Sequence, residues 1–206
     1  MKIHSLSLGL LGTNCYLVEQ HEKVLIIDPG GDEDQLITYL EEKKLEPDAI
    51  LLTHAHFDHI GAVEPLRNHF KIPVYMHENE KDWLTDPALN GSELFQIGRI
   101  SAEEQADEFL TEGVTELDQF KFKVLLTPGH SPGSISFWFE DEGVLIAGDT
   151  VFQMGIGRTD LPFGNHDQLI ESITEKIMIL PSETLIYPGH GPSTTVEKER
   201  SNNPFL

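Results

Sequence analysis

The chain contains a single cysteine, Cys15, among 206 residues, so no disulfide can close within it. Cys15 stands in the alternating run "NCYLV" and reads as a small packed side chain of a strand. Basic residues are scarce: 14 Lys and Arg stand against 35 Asp and Glu, a formal charge of −21. Such a surface repels phosphate backbones and anionic membranes, which excludes nucleic acid and the membrane surface as partners. Two bound divalent cations would offset only a small part of that excess, so the remaining carboxylates read as solvated surface. No stretch approaches the ~18 consecutive apolar residues of a membrane span. The start, "MKIHSLSLGLLGTNCYLV", lacks the continuous apolar segment of a signal peptide, which makes a reducing cytoplasm the expected compartment. Low-complexity segments and linkers are absent too.

What is present is a 39% hydrophobic, 24% charged chain, ordinary for a globular protein and long enough for a sizeable core. We expect one domain over 1–206, built from two similar halves. "KIHSLSLG", "NCYLVEQ" and "KVLIID" read as an antiparallel opening joined by turns at "GLLGT" and "HEK". "DEDQLITYLEEKK" has a helical stripe of Leu36, Ile37 and Leu40, with Asp32 and Gln35 spaced as a capping box. "DAILL" is a strand, Ile60, Val63, Leu66 and Phe70 recur at helical spacing, and "IPVYMH" is a strand again. Residues 78–112 show no clear period. The β pattern resumes in "FKFKVLL", "SISFWFE" and "GVLIAGD". A helix follows over "NHDQLIESITEKIMIL", capped by Asn165 and Gln168 and burying Leu169, Ile170, Ile173 and Ile177. "TLIYPGHG" reads as the last strand. Sheets flanked by helices bury both kinds of stripe, so the class is α/β.

Four apolar runs end in a candidate ligand. "AILLT" runs into His54, "FKVLLTPG" into His130, "GVLIAG" into Asp149 and "TLIYPG" into His190. In α/β sheets, ligands gather beyond the carboxyl ends of strands. The densest cluster is "HAHFDH", with His54, His56, Asp58 and His59 in six positions. In an extended segment His54 and His56 project to one side and grip one ion. Asp58 and His59 come as a helix begins and point elsewhere, toward a second ion. His130 is expected to complete the first site and His190 the second, with Asp149 placed to bridge them. Imidazoles with carboxylates suit zinc, iron or manganese. Seven ligands leave coordination positions for water, the mark of a catalytic rather than a structural centre. His4, His21, His69 and His166 read as surface or hydrogen-bonded residues. His77 also follows a strand and is a lesser candidate for supporting the metal ligands.

The motifs "THAHFDH", "TPGHSPGS", "AGDTVF" and "YPGHG", in that order, resemble those of the metallo-β-lactamase fold superfamily. Within it the chain is similar to the glyoxalase II (hydroxyacylglutathione hydrolase) group, in particular its short bacterial branch, from "GTNCYLV" and "IDPGG" to the terminal "NPFL". The resemblance implies a four-layer αβ/βα sandwich. It implies His54, His56 and His130 on one metal, Asp58, His59 and His190 on the other, and Asp149 shared. Long members carry a C-terminal helical domain that holds glutathione; this chain stops about sixteen residues after His190, so that domain is expected to be absent. Where long members have a lysine and a tyrosine for the glutathione carboxylate, "GIGRTDLPFG" offers Arg158 and no tyrosine. Arg158 is the candidate for a substrate carboxylate; its alternative is an ion pair with Asp160 that braces the loop.

These readings converge on a hydrolase of small thioesters, the acyl group being a 2-hydroxy acid, with two divalent ions as cofactors: zinc first, iron or manganese as alternatives. A metal-bridging hydroxide, oriented by Asp58, is the expected nucleophile. Ser131 and Ser134 lack the strand–turn–helix setting of a nucleophile elbow. Two alternatives remain: a persulfide dioxygenase with a single iron, and a non-catalytic metal-binding module. A β-lactam hydrolase of the commonest type would have cysteine at position 149, and a nuclease would want a basic surface.

Overall fold

Strand direction decides which chain segments share an edge, and the computed structural model, which describes residues 1–206, contains two six-stranded sheets. They fall in two units, Met1–Leu110 and Thr111–Leu206.

In the N-terminal unit, β1 (Lys2–Leu8), β2 (Thr13–Gln20) and β3 (Lys23–Ile27) form the expected antiparallel opening. Helix α1 (Glu33–Lys43) then carries the chain to β4 (Glu46–Leu51), which lies parallel to β3. Two short helices, α2 (Phe57–Ile60) and α3 (Val63–Phe70), lead to β5 (Val74–Met76), again parallel. A two-residue strand, β6 (Glu108–Phe109), closes the sheet beside β5. Leu36 and Leu40 of α1 and Val63 and Leu66 of α3 pack with Cys15, Leu17, Val24, Ile26 and Ile50 in one apolar cluster. Cys15 is fully buried there, and burial, aided by the charge of Asp28, pushes its thiol pKa up. It is the inert packed side chain its sequence context suggested.

The capping box expected at α1 does not form. Asp32 has a left-handed backbone, φ 53°, whereas an N-cap side chain reaches its own helix only from the extended region. The Asp32 carboxylate instead accepts the N–H of Gly9 at 2.7 Å, tying the turn after β1 to the start of the helix.

The C-terminal unit begins with the antiparallel strands β7 (Gly113–Leu117), β8 (Phe120–Leu126), β9 (Ile135–Phe139) and β10 (Val144–Gly148). A small hairpin, β11 (Val151–Phe152) with β12 (Gly155–Ile156), follows. Helix α4 (His166–Ser172) is capped by Asn165, whose Oδ1 accepts the N–H of Gln168 at 3.1 Å. It continues as a π-helical turn, Ile173–Ile177. Leu169, Ile173 and Ile177 are fully buried with Leu145 and Ile186, while Ile170, at the edge of that stripe, is half-buried. Strand β13 (Leu185–Pro188) lies parallel to β10.

The chain does not end its regular structure there, as the sequence pattern had suggested. Strand β14 (Thr194–Thr195) pairs with β13, and helix α5 (Val196–Asn202) follows. Helix α5 escapes a search for apolar stripes because it buries only Val196 and Glu199. The Glu199 carboxylate accepts hydrogen bonds from Thr194 Oγ1 at 2.5 Å, Met154 N at 2.8 Å and Asn203 Nδ2 at 3.0 Å. Three donors offset the cost of burying that charge, and they dock α5 on the turn between β11 and β12.

Candidate metal centre

Because β3 and β4 are parallel, the residues after both strands emerge at one edge of the N-terminal sheet. Asp28 follows β3; Thr53 and His54 follow β4. His54, His56 and His59 are all buried, and Asp58 is half-buried. The ligand atoms of His54 and His56, of His54 and His59, and of Asp58 and His59 lie within 4.8 Å of one another. The His54 ring centroid stands 4.9 Å from that of His56 and 4.1 Å from that of His59. His59 therefore faces His54 rather than pointing away from it, because the turn of α2 folds the chain back on itself. Asp58 Oδ2 lies 3.6 Å from His59 Nε2 and accepts a hydrogen bond from Thr13 Oγ1 at 3.0 Å.

Asp28 organises this set. Its carboxylate, 1% exposed, accepts the Thr53 N–H at 2.8 Å and the Thr53 hydroxyl at 2.6 Å. It also stands 3.0 Å from His59 Nδ1. A ring nitrogen fixed by a carboxylate sets the tautomer and presents the other nitrogen as the ligand. Thr53 Oγ1 makes a similar contact with His54 Nδ1 at 3.1 Å. Sequence reasoning assigned Asp28 no role, although a charged residue directly after the apolar run "KVLII" was a usable signal.

The C-terminal unit gathers its candidates in the same way. Strands β8 and β10 are both antiparallel to β9, and β13 is parallel to β10; all three therefore end at one edge. His130, Asp149 and His190 follow those ends. Asp149 Oδ2 lies 3.7 Å from His130 Nε2 and 3.6 Å from His190 Nε2. His130 Nδ1 donates to the carbonyl of Arg158 at 2.8 Å, so Nε2 is again the nitrogen turned to the carboxylate. Separations of 3.6–3.7 Å exceed hydrogen-bond length. They are close to the roughly 3.4 Å between two ligands each about 2.0–2.1 Å from one tetrahedral ion. Imidazole nitrogens and carboxylate oxygens at that spacing fit a divalent metal.

Arg158 points elsewhere. Its Nε and Nη2 donate to the two oxygens of Asp160, both at 2.8 Å, the loop-bracing alternative. That pairing lowers the Asp160 carboxyl from 3.8 to about 2. The ion pair is complete above the ordinary carboxyl range and is lost only as pH falls through about 2. The guanidinium fork is thus engaged throughout the neutral range.

Of the other histidines, His21 and His166 are exposed, and three have partners away from the candidate ligands. His4 lies between Glu19 and Tyr39, at 2.7 and 3.0 Å, and His69 stands beside Glu41. His77 Nδ1 accepts the Asn79 N–H, capping the turn it precedes, and burial lowers its pKa. The aperiodic segment after His77 holds the loop that carries His54 to His59: Asn90, fully buried, accepts the Phe57 N–H at 3.0 Å, and the Trp83 ring lies 5.4 Å from that of His56. No helix is long and apolar enough to cross a membrane.

Comparison with known proteins agrees with this arrangement. The sequence profile of the Metallo-beta-lactamase superfamily matches residues 8–190. The hydroxyacylglutathione hydrolase GloC of Haemophilus influenzae is 40% identical over 100% of this chain and 98% of its own length. The crystal structure of the BLEG-1 B3 metallo-beta-lactamase superposes with a TM-score of 0.98 at 49% identity, covering 100% of this chain and 99% of that one. That of TTHA1623 in a di-iron-bound form gives 0.89 at 37% identity, covering 98% and 100%. The α/β class and the metallo-β-lactamase type of fold are as the motifs implied.

Proposed function

The chain belongs to the metallo-β-lactamase superfamily, a family that includes metal-dependent hydrolases, and from that premise we propose that it hydrolyses small thioesters. The observation that carries this reading is the pair of aspartates, Asp58 and Asp149, each set 3.6–3.7 Å from imidazole Nε2 atoms. The similarity to GloC, which spans both chains almost entirely, supports a hydroxyacyl thioester as substrate. In this reading His54, His56 and His130 would hold one divalent ion, Asp58, His59 and His190 would hold a second, and Asp149 would serve both. Zinc is our first assignment; the di-iron form of TTHA1623 makes iron its rival.

Bound at these residues, divalent ions would supply a nucleophile at neutral pH by lowering the pKa of water toward about 7, and would polarise the thioester carbonyl. The protein's own contribution is orientation. Thr13 fixes Asp58 Oδ2, so the carboxylate can direct the attacking water. Asp58 also lines a cleft of about 360 Å³ with Leu10, Phe57 and Ile100, and this cleft receives the substrate. A thiolate leaves without a general acid because its pKa is only about 8.5, in keeping with the reading's reliance on metal ligands alone.

Metal content measured alongside hydrolysis of lactoyl and other hydroxyacyl thioesters tests the proposal. Two ions per chain and thioester turnover without oxygen uptake are expected. Turnover of a β-lactam in preference to every thioester, or a single iron with oxygen consumption on a persulfide, would overturn it. If Arg158 binds a substrate carboxylate despite its pairing with Asp160, R158A raises KM for a carboxylate-bearing thioester by roughly tenfold and spares a neutral one. If it only braces the loop, R158A and D160A shift both substrates alike.

A further inference from the structure

Strands β4 and β5 run parallel, so the turn after β5 stands at the same sheet edge as the segment after β4 that carries His54 and His56. That turn is a single round of 3-10 helix, Glu78–Glu80. Glu80, at its end, is 1% exposed in spite of its charge. Its Oε2 accepts the N–H of Ala55 at 2.6 Å, which is the residue between the two histidines. Burying a carboxylate is costly unless its hydrogen bonds are strong, and an apolar side chain would fill such a place at lower cost if packing were the only requirement.

The residues after Glu80 grip the same segment twice more. The N–H of Trp83 donates to the Glu80 carbonyl at 2.8 Å, which places the indole against His56 at 5.4 Å and 42°. Asn90, tied by Nδ2 to the carbonyls of Trp83 and Ile100 at 3.1 and 2.8 Å, receives the N–H of Phe57. Ala55, His56 and Phe57 are thus each engaged from the aperiodic segment. Of the three attachments, only the one at Ala55 uses a charged acceptor, and it acts on the residue flanked by both histidines.

We infer that Glu80 is a positioning residue for metal binding: by accepting the Ala55 N–H it fixes the backbone between His54 and His56, and with it the directions in which both imidazoles project. The inference rests on the reading of His54 and His56 as ligands. Rotation of the Ala55 backbone would swing the two rings apart, and groups that orient metal ligands in this way matter to affinity roughly 10–100-fold.

Zinc titration against a competing chelator, on the full chain and its variants, tests this without reference to turnover. E80A removes the acceptor, E80D withdraws it by one methylene, and E80Q keeps an oxygen that can accept the same N–H. E80A and E80D are expected to bind zinc roughly 10–100-fold more weakly than wild type, and E80Q to remain within about threefold. The melting temperature of each metal-free protein separates this from a merely structural role, which would lower melting and leave zinc affinity in place. Wild-type zinc affinity in a folded E80D would overturn the inference, as would E80Q, the isosteric variant, binding as weakly as E80A. A wild-type protein that binds neither zinc, iron nor manganese would instead remove the ligand reading beneath it.

Discussion

Replacing Asp149 by asparagine is expected to lower kcat/KM for a thioester at least about 10³-fold while leaving a folded protein. The substitution preserves shape and volume, so packing at the end of β10 is retained. What it removes is the negative charge that stands 3.7 Å from His130 and 3.6 Å from His190. An amide oxygen is a far poorer partner for a divalent ion than a carboxylate, and in the proposed arrangement this ligand is shared by both ions. Metal content should therefore fall with activity. H56A is the companion variant. It deletes one neutral ligand of the proposed arrangement, leaves a small gap beside Trp83, and is expected to cost the ion proposed to sit with His54 before the other. Circular dichroism and melting of the metal-free proteins report the fold, and elemental analysis reports the ions. Near-normal turnover by either folded variant would remove the metal centre from the mechanism.

The second large effect comes from two glycines with no chemistry of their own. A Cβ added to Gly30 would lie 2.0 Å from the carbonyl oxygen of Asp58, and one added to Gly157 would lie 1.9 Å from that of Asp149. Both obstacles are main chain, so no rotamer change relieves them, and a close-packed interior yields little. The loops must separate, at a cost of about 3 kcal/mol or more for each alanine substitution. For a chain of this size that corresponds to a fall in melting temperature of roughly 6–12 °C. Zinc affinity should fall as well, because the displaced backbone carries Asp58 in one case and Asp149 in the other. G155A is the control: its Cβ would meet only Phe152, at 3.8 Å, an ordinary contact. If G30A or G157A melts within about 2 °C of wild type, the close approach is not what requires glycine there.

Much of the fold was legible because it rests on local periodicity. The opening strands, the Leu36 and Leu40 stripe of α1, and the capped α4 with Leu169, Ile173 and Ile177 inward all followed from residues a few positions apart. Helix α5 was not, since its docking depends on the buried Glu199 carboxylate and not on an apolar repeat. Asp32 shows the converse: its spacing from Gln35 fits a capping box, but its left-handed backbone sends the carboxylate to Gly9.

By itself the sequence determined that apolar runs would end in His54, His130, Asp149 and His190, because a buried strand writes its own end as a change from apolar to polar residues. It also determined the family, through ordered motifs spread over nearly the whole chain. Only the tertiary structure decided which distant groups bond to the segment that carries the candidate ligands. Asp28 reaches Thr53, and Glu80 reaches Ala55, each across 25 residues of sequence, and only the parallel order of β3, β4 and β5 makes them neighbours. It also decided that Arg158 turns to Asp160. Hydrogen bonds between distant segments follow strand order and backbone direction, which no local pattern of residue types encodes.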